Sequence, residues 1–325
     1  MNILITGSSG FIGYHLAKSL LETFSKSKII GIDSQNSYYD VGLKINRNIL
    51  LEKYSNFEFY KIDILNEVLL NDLFVENTFD FIFHFAAQAG VRYSFSHPDQ
   101  YIKTNMLGTQ NIFGLALTHK VKHIFYASSS SVYGNLEKDF FSEEENTDNP
   151  LNIYAYTKKN NELLASFYQN MHKLNSTGFR LFTVYGPYGR PDMALFKFCN
   201  SILNDEPLIL NNNGHMERDF TYIDDVIKSI IFVFKKKLTH NEPIEHDIFN
   251  VGNHLPVSIK YFVEIIEKVI GKKAIINFNP DYKGESLRTA CDISKLEKYI
   301  AYKPETQIED GIENFYKWYK EYYSS

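Results

Sequence analysis

A strand-forming run, Asn2-Ile3-Leu4-Ile5-Thr6, opens directly into Gly7-Ser8-Ser9-Gly10-Phe11-Ile12-Gly13, and an amphipathic segment follows at once. Three glycines at that spacing between a strand and a helix constrain the chain more than any other feature of it. A Cβ at these positions would block close approach of the backbone to a ligand, and the amides of the helix N-terminus favour a pyrophosphate. The string therefore predicts a dinucleotide-binding turn in which Gly7, Gly10, Phe11, Ile12 and Gly13 meet the cofactor. Asp33 lies 20 residues past Gly13, at the end of the second apolar run. A carboxylate there bonds the ribose hydroxyls of an adenosine and repels a 2′-phosphate, so the expected cofactor is NAD rather than NADP.

Short apolar runs alternate with longer amphipathic segments through the first half of the chain. Ile3–Thr6, Ile29–Asp33, Phe57–Asp63, Phe79–Phe85, His123–Ser128 and Gly178–Val184 read as strands, and Phe11–Ser25, Pro98–His119 and Tyr154–Leu174 as helices. That order predicts an α/β fold, a Rossmann-type doubly wound parallel sheet. Ligands bind outside the carboxyl ends of such strands, so Asp63 and Ile64 after the third strand and Phe85, Ala86, Ala87 and Gln88 after the fourth are further cofactor contacts.

The turn-rich string Tyr185-Gly186-Pro187-Tyr188-Gly189-Arg190-Pro191 interrupts the alternation. It divides a cofactor-binding domain, residues 1–184, from a smaller C-terminal substrate-binding lobe, 185–325, with segments within 216–252 returning to the first. Helical spacing resumes at Ala194–Leu203, Asp224–Lys237, Ser258–Gly271 and Glu309–Tyr322, and Asp247–Val251 and Ala274–Phe278 read as strands.

Charge and cysteine content narrow the function. A net charge of −5 without a basic stripe argues against binding nucleic acid through its backbone. Two cysteines, Cys199 and Cys291, without metal-ligand spacing predict neither a metal site nor a disulfide framework. The opening residues form neither a basic leader nor a long apolar stretch, so the chain is expected to be cytoplasmic and not to enter a membrane.

Tyr154 and Lys158 stand four apart near the start of a helical segment, so their tips share one face. A phenol with an ordinary pKa near ~10 becomes a usable base at neutral pH when positive charge favours the phenolate. The pair alone is common in helices. Its meaning comes from Ser128-Ser129-Ser130-Ser131, at the carboxyl end of the fifth strand, where hydroxyls can bond a sugar alcohol and relay its proton. Ser129 is assigned to the O4 hydroxyl of such a sugar. Arg190 follows Thr183 by a compact turn, and together they can direct a guanidinium and a hydroxyl at a carboxylate, with Ser130 and Ser131 as further donors.

The glycine string, the Ser128–Gly134 string and the Tyr154/Lys158 pair, in this order, resemble the extended short-chain dehydrogenase/reductase family. Phe182–Pro187, Gly189–Ala194, Arg218–Asp225 and Gln88–Ser94 narrow the resemblance to bacterial UDP-glucuronate 4-epimerases, over essentially the whole chain. The resemblance implies Tyr154, Lys158 and Ser129 as catalytic residues, Arg218 and Arg288 as ligands of a UDP diphosphate, Asn105 as an additional cofactor contact, and a homodimer formed through the two long helices. It implies interconversion of UDP-glucuronate and UDP-galacturonate through a 4-keto intermediate, and a supply of galacturonate for polysaccharide biosynthesis fits that activity. One departure occurs at Lys283–Thr289, where family members more often carry Pro-Gly-Asp. Three alternatives remain open at this stage: a UDP-glucuronate decarboxylase, an epimerase of neutral UDP-hexoses or N-acetylhexosamines, and a non-catalytic NAD-binding scaffold. Sugar 4,6-dehydration is disfavoured, because Ser130 and Ser131 stand where the resembling dehydratases carry an acid/base pair.

Overall fold

The computed structural model describes residues 1–239, 246–280 and 286–323. The first six strands are β1 (Asn2–Thr6), β2 (Lys28–Ile32), β3 (Phe57–Tyr60), β4 (Phe81–His84), β5 (His123–Ser129) and β6 (Ser176–Leu181). With the strand His246–Val251 they form a seven-stranded sheet in the order 246–251, β6, β5, β4, β1, β2, β3, parallel throughout. Alternate side chains of β1 feed opposite cores. Ile3 and Ile5 join Phe83, Phe125, Phe179 and Phe234 on one face, and Leu4 joins Ile82, Ile112, Phe113 and Ile124 on the other. Burial on both faces is why these strands read as continuous apolar runs.

Strand order reverses between β1 and β4, the switch point at which a doubly wound sheet opens a crevice. Gly7 leaves β1 with φ +75°, and a Cβ on it would lie 2.6 Å from the Ala86 amide nitrogen. A Cβ on Gly13 would lie 2.1 Å from the Gly7 carbonyl oxygen. The first and third glycines therefore make the turn sterically possible, and the helix Phe11–Thr23 begins behind it.

The expected strand Gly178–Val184 is two strands. β6 ends at Leu181, the Phe182 amide donates to the Val251 carbonyl at 3.0 Å, and Thr183–Tyr185 then pairs with Glu217–Tyr222 in a separate three-stranded sheet completed by Pro256–Ser258. Ile275–Asn279 pairs with Pro207–Asn211 in a third, two-stranded sheet. The segment predicted as one helix from Pro98 to His119 is helical across Pro98–Thr118 with a π-helical turn at Ile102–Leu107. Two helices lack the expected spacing. In Val41–Leu51 the buried face carries Lys44, Arg47 and Asn48 beside Leu43 and Leu51, and in Glu67–Glu76 apolar Val68, Leu69 and Val75 sit on the exposed side, so neither shows a clean stripe. Among the described residues no helix is long and apolar enough to cross a membrane. The departure at Lys283–Thr289 begins outside the described residues.

Candidate active site

One cavity of about 840 Å³ runs along the carboxyl edge of the sheet and continues between it and the smaller sheets. At one end its wall is the glycine loop, Gly7, Gly10, Phe11, Ile12 and Gly13, with Asp33. Burial pushes the Asp33 carboxyl upward, against the Gln35 amide, the Lys44 ammonium and the Ser9 amide. Its oxygens accept from Gln35 N at 2.7 Å and Ser9 N at 3.2 Å. Asp63, Ile64 and the Phe85–Gln88 run line the same wall. Asp63 also turns its own loop by accepting from Leu65 N at 2.9 Å.

The middle of the cavity holds Ser129, Ser130, Ser131, Tyr154 and Lys158. Ser129 ends β5, and the short turn Ser130–Tyr133 follows, its first amides drawn to the sheet edge as Ser131 N donates to Ser129 Oγ at 3.1 Å. The neighbouring Ser128 points away and donates to the buried Glu162 at 2.6 Å, where Glu162 also pairs with Arg180. The helix Ile153–His172 starts at an Asn152 cap, whose side chain accepts from Ala155 N at 2.8 Å, so Tyr154 falls in its first turn. Burial raises the Tyr154 phenol, while a hydrogen bond with Ser129 and the charge of Arg190 act in the opposite direction. Lys158 is 4% exposed, and burial lowers its ammonium to about 8. Its Nζ donates to the Ala127 carbonyl at 2.8 Å. The head of Lys158 is drawn to the Ala127 carbonyl, and Ser129 and Arg190 are the groups that oppose burial at the Tyr154 phenol.

Thr183, Arg190 and Arg218 line the cavity as well. Arg190 is not an open cation: Nε donates to Asp192 Oδ1 at 3.0 Å and Nη2 to Asp192 Oδ2 at 2.5 Å. Burial disfavours the guanidinium charge, but Asp192 outweighs this and raises its pKa. Burial likewise opposes the Asp192 carboxylate, and Arg190 more than offsets it, with a net downward shift.

Two expected residues are not brought to the cavity wall. Arg288 donates through Nε to Glu217 at 2.8 Å and through Nη1 to the Asp139 carbonyl at 2.7 Å, so its fork faces those oxygens rather than the cavity that Ser286 and Thr289 line. Asn105, 1% exposed, exchanges two hydrogen bonds with the Gln88 backbone, at 2.7 and 3.0 Å, and reaches Thr157 at 3.0 Å. It holds the Gln88 loop in place from behind the wall.

Other wall residues escaped the sequence reading. Tyr38, Lys44 and Asp192 line the cavity, and Arg47, fully buried, ties the glycine loop to the turn before Arg190. The Arg47 guanidinium donates to the Ser9 carbonyl at 2.9 Å, the Tyr39 hydroxyl at 2.7 Å, and the Tyr188 and Gly189 carbonyls at 2.6 and 3.2 Å. The available signal was the density of polar and aromatic residues, Asn36 to Asp40, just after the second strand.

Residues 3–252 match the model of the NAD dependent epimerase/dehydratase family. The chain belongs to this family. A protein of Methanocaldococcus jannaschii named only as uncharacterized is 47% identical over 98% of this chain and 96% of its own length. The UDP-glucuronate 4-epimerase of Thermodesulfobacterium geofontis is 39% identical, with 98% of this chain and 96% of that protein covered. The fold superimposes on the crystal structure of UDP-glucuronic acid 4-epimerase from Bacillus cereus in complex with UDP-glucuronic acid and NAD, with a TM-score of 0.90, 35% identity, and 99% and 100% of the two chains covered.

Proposed function

We propose that this protein is an NAD-dependent 4-epimerase that interconverts UDP-glucuronate and UDP-galacturonate. The observation that carries the reading is the gathering of Ser129, Tyr154 and Lys158, one helical turn apart for the last two, in a single cavity that the glycine loop and Arg190 also line. Full-length similarity to proteins named for this activity supports the same reading.

The residues present fit NAD. The space that a Cβ at Gly7 or Gly13 would fill is taken by backbone, the Phe11–Thr23 helix presents its N-terminus beside the loop, and Asp33 offers carboxylate oxygens for ribose hydroxyls. Gly10, Phe11 and Ile12 would hold the pyrophosphate, with Asp63, Ile64 and Phe85–Gln88 along the remainder. When bound, NAD supplies a reversible two-electron acceptor for C4 of the sugar.

Tyr154 removes the proton of the C4 hydroxyl, through Ser129 or directly, and returns it at the end of the turnover. Ser129 and the charge of Arg190 favour the ionised phenol, and Lys158, held on the Ala127 carbonyl one turn along the helix, adds a cation to the reacting site. Arg218 holds the diphosphate while the keto sugar turns over, so that both faces of C4 are presented in one binding event. Thr183, Ser130, Ser131 and Arg190 hold the carboxylate. We assign residues 1–184, with the strand 246–251, to the cofactor-binding body and most of 185–325 to the sugar-nucleotide lobe.

The two cysteines are both buried and unpaired, which supports a cytoplasmic location. Exposed Leu107, Tyr156, Leu163, Phe167 and Met171 lie on the two long helices and support a homodimer through that face. A supply of UDP-galacturonate to polysaccharide synthesis fits the reading. Incubating the purified chain with UDP-glucuronate and, separately, UDP-glucose and UDP-N-acetylglucosamine tests it: conversion of the uronate alone to its 4-epimer is expected. Preferential turnover of a neutral sugar, or binding of NAD with no turnover, would contradict the reading.

A further inference from the structure

The Arg190–Asp192 pair is held by a third residue. The Tyr38 phenol donates to Asp192 Oδ2 at 3.0 Å, and Tyr38, Asp192 and Arg190 all line the same cavity. Side chains of the ion pair are 19% and 23% exposed, so their contact is shielded from bulk water. Tyr38 belongs to the loop that follows Asp33. Its ring packs against Tyr93 at 4.9 Å, and its hydroxyl occupies the space beside Gly90, 2.2 Å from where a Cβ would stand. The Gly90 carbonyl accepts from Tyr101, whose ring meets Tyr154 edge-on at 6.1 Å. Asp192 is thus anchored from a loop beside the cofactor end and indirectly from the catalytic helix.

A two-point carboxylate pair fixes the rotation of a planar guanidinium in a way that a single contact does not. Asp192 engages Nε–H and one hydrogen of Nη2, which leaves the Nη1 edge outside the pair. We propose that Asp192, locked by Tyr38, is a positioning residue for the acidic sugar: by fixing the Arg190 fork it fixes where the substrate carboxylate sits, and so suppresses decarboxylation of the 4-keto intermediate. The inference rests on the reading that the substrate is UDP-glucuronate.

The chemistry sets what must be prevented. The 4-keto uronate is a β-keto acid. When its C5–C6 bond aligns with the C4 carbonyl π system that bond breaks, its electron pair becomes the C4–C5 enolate, C6 leaves as carbon dioxide, and C5 takes a proton from solvent. A guanidinium free to swivel lets C6 reach that alignment. One held by Asp192 does not.

Asp192→Asn keeps the size of the side chain but removes its charge and turns an amide N–H toward the guanidinium, so the two-point pair is lost. Tyr38→Phe removes only the anchoring hydroxyl. The experiment measures carbon dioxide released per epimerisation of UDP-glucuronate by wild type and both variants, with bound NAD quantified in each. The expected result is a ratio at least tenfold higher in Asp192→Asn and raised to a smaller extent in Tyr38→Phe, at unchanged NAD content. A merely structural role would lower turnover without changing the partition. Wild-type ratios in active variants would overturn the proposal, and if Asp192→Asn does not fold, the Tyr38→Phe ratio decides it in the same two ways. A wild-type chain that does not epimerise UDP-glucuronate would overturn the substrate reading and this inference with it, and that failure shows before any variant is made.

Discussion

The ammonium of Lys158 donates to the Ala127 carbonyl across 2.8 Å, one residue before the serine run that ends the fifth strand. Burial without a carboxylate partner brings its pKa from 10.5 to about 8. The unfolded chain therefore binds a proton between pH 8 and 10.5 that the folded chain has released, so folding stability contributed by this group rises with pH across that window and its penalty is complete below it. Lys158→Met should remove that dependence, on the order of 3 kcal/mol for a shift of this size. Urea midpoints of wild type and variant, compared from pH 7.5 to 10.5, check it: the wild type should gain relative to the variant as pH rises.

Loss of the phenol should be felt in the chemical step and not in cofactor binding. Tyr154→Phe keeps the ring against Tyr101 but removes the acid/base group, and kcat should fall by about 10²–10⁴. Ser129→Ala leaves the phenol in place and should cost less. Steady-state kinetics alongside NAD titration by fluorescence separate the two effects, and loss of NAD binding in Tyr154→Phe would argue for a structural role instead.

Arg47 should behave as a clamp. Its four hydrogen bonds join the glycine loop at Ser9 to Tyr188 and Gly189, immediately before Arg190. Arg47→Met should destabilise the fold by roughly 3 kcal/mol or more, since buried carbonyls lose a charged donor. Arg47→Lys should not rescue it, because an ammonium cannot span the same fork. Chemical denaturation of both variants reads the effect.

Acid should weaken the protein before most carboxylates titrate. His15, His84 and His123 are each held neutral by burial, with pKa values brought from 6.5 to about 3. The unfolded chain binds protons below pH 6.5 that these rings refuse, so stability is lost as pH falls through that value. Buried Asp33 and Asp219 are shifted upward and act with the opposite sign, which makes a difference measurement necessary. In His84→Gln the urea midpoint should fall less between pH 6.5 and 4.5 than in wild type.

The cofactor half of the site was legible in the sequence because its determinants are local. Gly7, Gly10 and Gly13 are needed by one turn, and Asp33 and Ser129 stand at strand ends that an apolar run announces. Tyr38, Asp192 and Arg47 were not legible. Their partners lie 154 residues away for Tyr38 and Asp192 and 141 for Arg47 and Tyr188, and no periodicity records a contact of that kind. Arg288 illustrates the converse: a resemblance named the residue, yet its fork is committed to Glu217 and Asp139. The helix Val41–Leu51 was missed for a physical reason, since polar Arg47 and Asn48 occupy its buried face.

The measurement that bears most directly on the central claim is proton and carbon NMR of UDP-glucuronate deuterated at C4, incubated with the purified chain and a trace of NAD in ordinary water. Epimerisation at C4 through a 4-keto sugar predicts UDP-galacturonate that keeps its deuterium at C4, with no carbon dioxide released. Product that has exchanged C4 deuterium for solvent hydrogen, a UDP-pentose with gas, or an unchanged uronate spectrum would contradict the account.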